Sequence, residues 1–124
     1  MKEKVRERWE KVLLQLELIK EGDAVEEAVV ANYLRPIMKR TGEWVQGDMV
    51  FTRERVVWIS KLGGTSFSIP YKDIREVSPA SIFCFIPMGI MISAYDAETQ
   101  NIISYLVSVS KRNHWIDYIS KKMR

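Results

Sequence analysis

The sequence predicts a mainly β domain with a helix at each end, and three observations carry that prediction. Val45, Gly47, Met49 and Phe51 alternate with Gln46, Asp48 and Val50, the period-two pattern of a strand with one buried face. Val56-Val57-Trp58-Ile59 follows after the short polar break Thr52-Arg53-Glu54-Arg55, and two such runs on so short a link predict a hairpin. Val5, Trp9, Val12, Leu13, Leu16 and Ile19 form one stripe of an amphipathic helix over residues 3–20.

In chain order, the first helix gains a favourable Glu7–Lys11 pair and is expected to stop at Gly22. Residues 24–34 are apolar enough for either helix or strand, and Arg35-Pro36 is expected to break the chain. Lys39-Arg40-Thr41-Gly42 reads as a loop into the meander. Gly63-Gly64 supplies its next turn, since glycine reaches positive φ without steric cost. Phe67 and Ile69 alternate with serines, and Pro70 ends that strand or lies on an edge. Residues 71–74 read as a corner and 76–78 as a short strand. The apolar run from Pro79 to Pro87 reads as a connection. Met88 to Tyr95 is a strand with Ile90, Ile92 and Ala94 on one face, residues 96–101 are a polar turn, and Ile102 to Val109 is the last strand. Ser110 is the expected N-cap of a closing helix that turns Trp115, Ile116, Ile119 and Met123 inward. The domain division is therefore a helix at 1–21 and a domain at 22–124.

The 124 residues suffice for one core but not two. Hydrophobic content of 47% and charged content of 28% are ordinary for a globular chain. A net charge of +3 is too mild to point to nucleic acid. The single cysteine, Cys84, excludes an internal disulfide and favours a reducing compartment. With no signal-peptide core at the N-terminus and no apolar run long enough to span a bilayer, the expected location is cytoplasmic, with or without peripheral attachment to a membrane.

The residues offer little catalytic chemistry, and the expectation is no enzyme and no cofactor. His114 beside Trp115 reads as a surface or packing residue. Cys84 in its apolar run reads as a small core hydrophobe. One histidine and one cysteine do not make a zinc site. Gly63-Gly64 joins two strands and lacks the spacing of a phosphate loop. Of Trp9, Trp44, Trp58 and Trp115, three sit within apolar periodicities and read as core rather than as platforms for bases. Phe51, Trp58 and Phe67 are large enough to fill the interior, against a deep ligand cavity.

Four segments in order resemble the GRAM and bacterial pleckstrin-homology-like (PH-like) domains. Gly47-Asp48-Met49-Val50-Phe51-Thr52-Arg53-Glu54-Arg55-Val56 resembles their first hairpin. Phe67 to Val77, with Ser68-Ile69-Pro70-Tyr71-Lys72-Asp73-Ile74, is similar to their "S-I-P-Y-x-D-I" element, and Ile86-Pro87-Met88-Gly89-Ile90-Met91-Ile92 to their "I-P-N-G-I-x-I" element. Trp115-Ile116 is similar to their closing "W-I-x-x-I". Over residues 20–122 the resemblance implies a partly open β-barrel of two near-orthogonal antiparallel sheets with a capping C-terminal helix, and it leaves the first helix as an addition. It implies a non-catalytic binding module, for a protein partner or self-association, or else for an anionic membrane surface.

Two sets of residues are candidates for binding. In a meander the first and third connections share an end, which places Arg35, Lys39, Arg40 and Lys61 together and turns Arg53 and Arg55 away. The family resemblance implies inositol-phosphate or lipid binding at that shared end, where cations would meet phosphate oxygens. The second strand there carries Asp48 and no base, and the last turn carries Asp96 and Glu98. The second set is apolar: Ile82, Phe83, Phe85 and Ile86 exceed what a short connection can bury, and the helix stripe of Val5, Trp9, Val12 and Leu16 also needs cover. The expectation is that these surfaces cover each other, within one chain or between two copies.

Overall fold

The computed structural model describes residues 1–38 and 41–124. Helix α1 (Glu3–Gln15) precedes seven strands: β1 (Val25–Met38), β2 (Thr41–Thr52), β3 (Arg55–Ser60), β4 (Ser66–Pro70), β5 (Ile74–Ile82), β6 (Ile86–Asp96) and β7 (Asn101–Val109). A 3-10 turn at Tyr71–Asp73 makes the corner between β4 and β5, and α2 (Arg112–Lys122) closes the chain. All strand pairs are antiparallel, in the order β4-β3-β2-β1-β7-β6-β5. The sheet is continuous but not closed, with β4 and β5 as its free edges. Its halves are joined through only three β1–β7 residue pairs, from Ala31↔Val109 to Tyr33↔Val107.

Several sequence expectations need correction. The ambiguous segment 24–34 is strand, and β1 runs on through Arg35-Pro36. Among the described residues, no β7 residue is paired with β1 beyond Tyr33, so the proline's missing N–H breaks no ladder on that side. The same reason explains residues 79–87, which are two strand ends and a tight turn rather than a connection. Pro79 lies on the edge strand β5, and Pro87 on β6 precedes the first pairing with β7, Gly89↔Ser108. Helix α1 stops at Gln15, because Glu17 takes a left-handed conformation with φ of 59°. Gly22, at φ 93°, turns the chain later. At the start of α2 it is Lys111, left-handed at φ 56°, that occupies the N-cap position, with no side-chain cap from Ser110. Residues 39 and 40 of the expected loop lie outside the described residues, and Thr41-Gly42 already belong to β2.

The main core lies on one face of the sheet. Met49, Phe51, Val56 and Trp58 enter it from β2 and β3, and Ile90, Ile92, Val107 and Val109 from β6 and β7. Helix α2 adds Trp115 and Ile119, with the Trp115 ring stacked on Phe51 at 4.8 Å. Trp58 is fully buried and donates its indole N–H to the Ala31 carbonyl at 2.9 Å, which satisfies its one polar atom. The opposite face of β1–β3 is also covered. Val25, Val50 and Val57 pack there against Leu13 and Ile19 from α1 and its following turn. Val50 and Val57 are therefore buried on the face opposite Met49 and Trp58, so Val50 is not on a solvent face as its partners Gln46 and Asp48 suggested. Gly47 permits the close approach at the end of this layer, since a Cβ there would stand 2.4 Å from the Ile59 carbonyl oxygen.

Candidate functional site

The structure brings Arg35 and Lys61 to one end of the sheet, as expected from the order of connections. The Arg35 guanidinium donates to Thr65 Oγ1 at 3.3 Å, across from β1 to the β3–β4 turn. Neither base is spare. Arg35 is ion-paired with Glu43, its cross-strand neighbour on β2. Lys61 Nζ lies 3.0 Å from Asp48 Oδ1. Lys39 and Arg40 lie outside the described residues. Asp96 and Glu98 of the β6–β7 turn line a separate hollow of about 220 Å³ with Ser68, Pro70, Asp73 and Tyr105. Burial and the Asp96 charge push the Tyr105 hydroxyl above its usual range. Among the described residues, Arg35 and Lys61 are thus each met by a local carboxylate.

The apolar set divides differently. Ile82 is buried and Ile86 half-buried, facing each other as the last pair of the β5–β6 hairpin. Phe83 and Phe85, at the tip, are 67% and 78% exposed. The tip is closed by the Phe85 N–H on the Ile82 carbonyl at 3.2 Å. Phe83 and Cys84 both take left-handed backbone, at φ 52° and 69°, a conformation costing roughly 1–2 kcal/mol per non-glycine residue. Cys84 is exposed there and not a core residue. The left-handed turn puts it at the apex of the hairpin, which its apolar neighbours did not reveal.

Helix α1 does not cover this tip. It docks through Leu13 on the outer face of β1–β3 and leaves Phe83 and Phe85 in solvent. Val5 and Leu16 remain exposed, and Trp9 and Val12 are half-buried. Val5, Arg8, Trp9 and Val12 line a shallow hollow of about 270 Å³. The intrachain version of the expected mutual cover is therefore not formed. Beside the foot of the hairpin, Pro87 of β6 meets the start of α2 in an open hollow of about 670 Å³ that includes Lys111, Arg112 and the exposed His114. The Arg112 guanidinium donates to the Ala80 carbonyl at 2.7 Å, tying α2 to β5.

At the far end of the sheet, bases from four separate segments share one cleft, which the order of connections did not anticipate. Arg53 and Arg55 come from the β2–β3 turn and the first residue of β3, Lys20 from the segment before β1, Lys72 from the 3-10 turn and Lys122 from the end of α2. Among the described residues, no group of three or more His, Cys, Asp or Glu is placed to hold a metal. No helix among them is long and apolar enough to cross a membrane.

No family model matches this sequence, and no curated protein matches it. Solved structures do. The C-terminal domain of an unknown protein from Leishmania infantum aligns with a TM-score of 0.69 at 14% identity, over 94% of this chain and 95% of that one. The N-terminal PH domain of Vps36 aligns with a TM-score of 0.60 at 13% identity, over 86% of this chain and 83% of that one. With seven antiparallel strands, an unclosed sheet and a closing helix, the chain has a PH-like fold.

Proposed function

We propose that this chain is a non-catalytic binding module of the GRAM or PH-like type that docks a protein, either a partner or a second copy of itself, through the tip of the β5–β6 hairpin. The observation that carries the reading is the pair Phe83 and Phe85, held in solvent by two left-handed residues. Backbone of that kind persists where the surroundings impose it, and it clusters at functional positions. Exposed aromatic side chains on a stiff hairpin meet a partner with little loss of side-chain freedom, which is why aromatics dominate interface energetics. A second reading, attachment to an anionic membrane, draws on Lys111 and Arg112 beside the foot of the same hairpin. Apolar side chains would then enter the bilayer interface while the bases met the headgroups.

Cys84 makes a direct test. It is the only cysteine and sits exposed between the two phenylalanines, so a thiol-reactive environment-sensitive dye reports on the tip alone. Under the protein reading, the dye shifts to the blue on self-association at rising protein concentration or on adding a protein recovered from native cells. Phe83→Ser/Phe85→Ser removes that association. A shift with anionic vesicles alone would replace the protein reading with the membrane one. Unchanged association by the double variant would refute the tip as the docking element.

A further inference from the structure

The cleft at the β2–β3 end has a volume of about 360 Å³, within the range of small-ligand sites. Five bases line it, Lys20, Arg53, Arg55, Lys72 and Lys122, against one carboxylate, Glu54. Asp73, next to Lys72, lines an adjoining hollow that shares Pro70 with this cleft, and the nearby Glu26 and Asp23 are occupied. Glu26 accepts from the Tyr118 hydroxyl at 2.7 Å and pairs with Lys122. Asp23, buried, accepts from Thr52 Oγ1 at 2.7 Å and from the Ala24 N–H at 2.8 Å. Among the described residues, Lys20, Arg53, Arg55 and Lys72 have no ion-pair partner. This is the reverse of Arg35 and Lys61, each of which has its own carboxylate.

The cleft is also stiff. Thr52 Oγ1 accepts from the Arg55 N–H at 2.9 Å, and the Arg53 N–H binds the Ala24 carbonyl at 2.8 Å, so the β2–β3 turn is fixed on both sides. Tyr71 forms the floor. Its N–H donates to the Glu54 carbonyl at 3.1 Å, and its buried hydroxyl to the Thr52 carbonyl at 3.0 Å. The Arg55 guanidinium donates to Ser68 Oγ at 2.9 Å, and Ser68 in turn to the Leu18 carbonyl at 2.6 Å. One donor direction of Arg55 is thereby fixed while its remaining N–H groups stay available. Like charges gathered on a rigid frame without counter-charges destabilise the chain that holds them, and an anion relieves that cost. Guanidinium and ammonium groups converging on one cleft suit phosphate oxygens.

We infer that this cleft binds a phosphate-bearing anion through Arg53, Arg55, Lys72 and Lys20, at the opposite end of the sheet from the Arg35–Lys61 pair. The ligand class is a multiply phosphorylated small molecule, free or as the headgroup of a lipid. This inference does not depend on the aromatic tip.

Inositol hexakisphosphate serves as the soluble probe, titrated calorimetrically and by amide chemical shifts, and vesicles with or without phosphorylated phosphatidylinositol serve as the lipid probe. The largest amide shifts are expected at residues 53–55 and 71–72. Binding weakens with added salt, and Arg53→Glu/Lys72→Glu weakens it about tenfold or more. The charge-matched control Lys2→Glu/Lys4→Glu, on exposed residues of the N-terminus, changes it less than about twofold. Both variants are expected to fold, since Arg53 and Lys72 make no ion pair among the described residues, and a cooperative melting curve checks this. Loss of vesicle flotation by the first variant assigns the headgroup, whereas binding of the soluble probe without flotation assigns a free compound. No binding of either probe, equal losses in both variants, or shifts centred on Arg35 and Lys61 would overturn the inference.

Discussion

Leu13→Ala tests how far α1 belongs to the domain. Leu13 has no solvent exposure and shares a cluster with Ile19, Val25, Val50 and Val57. The next residue, Leu14, is 40% exposed on the same helix. Truncating a fully buried leucine costs about 2–5 kcal/mol, through lost transfer energy and the cavity left behind. The lower half of that range suits this site, because a short surface helix can settle into the space. About 3 kcal/mol corresponds to a fall of about 10 °C in melting temperature for a chain of this size. Leu14→Ala removes little buried area and improves helix propensity, so it should stay within about 0.5 kcal/mol of wild type. Urea unfolding followed by tryptophan fluorescence measures both, with an unchanged slope expected if each variant keeps the native fold. Equal midpoints for the two variants would mean that α1 is not docked through Leu13 and that the outer face of β1–β3 is covered by something else.

Two further substitutions probe the frame. Gly47→Ala should cost about 1–3 kcal/mol, because its Cβ would meet the Ile59 carbonyl and, at 2.5 Å, the buried Trp58 ring, neither of which is free to move; a chemical-denaturation midpoint equal to wild type would count against this packing. Burial raises the Glu26 carboxyl, but Lys122, the Tyr118 hydroxyl and Arg53 outweigh it and leave the group below its ordinary 4.5. A depressed carboxyl contributes stability that is present above pH 4.5 and is lost as pH falls through the folded value. Glu26→Gln should therefore flatten the acid limb of the stability profile, and an unaltered limb would show that the Lys122–Glu26–Tyr118 group is not formed in solution.

The strands were legible where one pattern governed them. Val45 to Phe51 and Met88 to Tyr95 alternate because one face is core and the other meets solvent or a thin cover. Legibility failed where two demands overlapped. Residues 24–34 look ambiguous because β1 has buried positions on both sides, Val25 under α1 and Ala31 and Tyr33 toward the main core. The prolines at 36, 79 and 87 read as breaks because the sequence does not show which sides of a strand lack a neighbour. Cys84 looked buried because apolar neighbours usually signal a core, and the left-handed turn that exposes it has no glycine to announce it.

The difference between the two groups of bases has a more general cause. Counting connections sorts residues by end of the sheet, and it placed Arg35 and Lys61 correctly. It gives no account of what stands opposite each base. Glu43 faces Arg35 directly across the β1–β2 ladder, and Asp48 lies diagonally across from Lys61. Pairs in those positions attract and spend the charge locally. Arg53 and Arg55 seemed isolated because the sequence shows them in a two-sided turn with only Glu54 between them. Their companions arrive through tertiary contacts, from residues 20, 72 and 122. Charge that is evenly mixed along the chain can therefore pair off in one place and gather in another: among the described residues Arg35 and Lys61 each meet a carboxylate, whereas Lys20, Arg53, Arg55 and Lys72 do not, and it is the unpaired group that has electrostatic free energy left to give to a ligand.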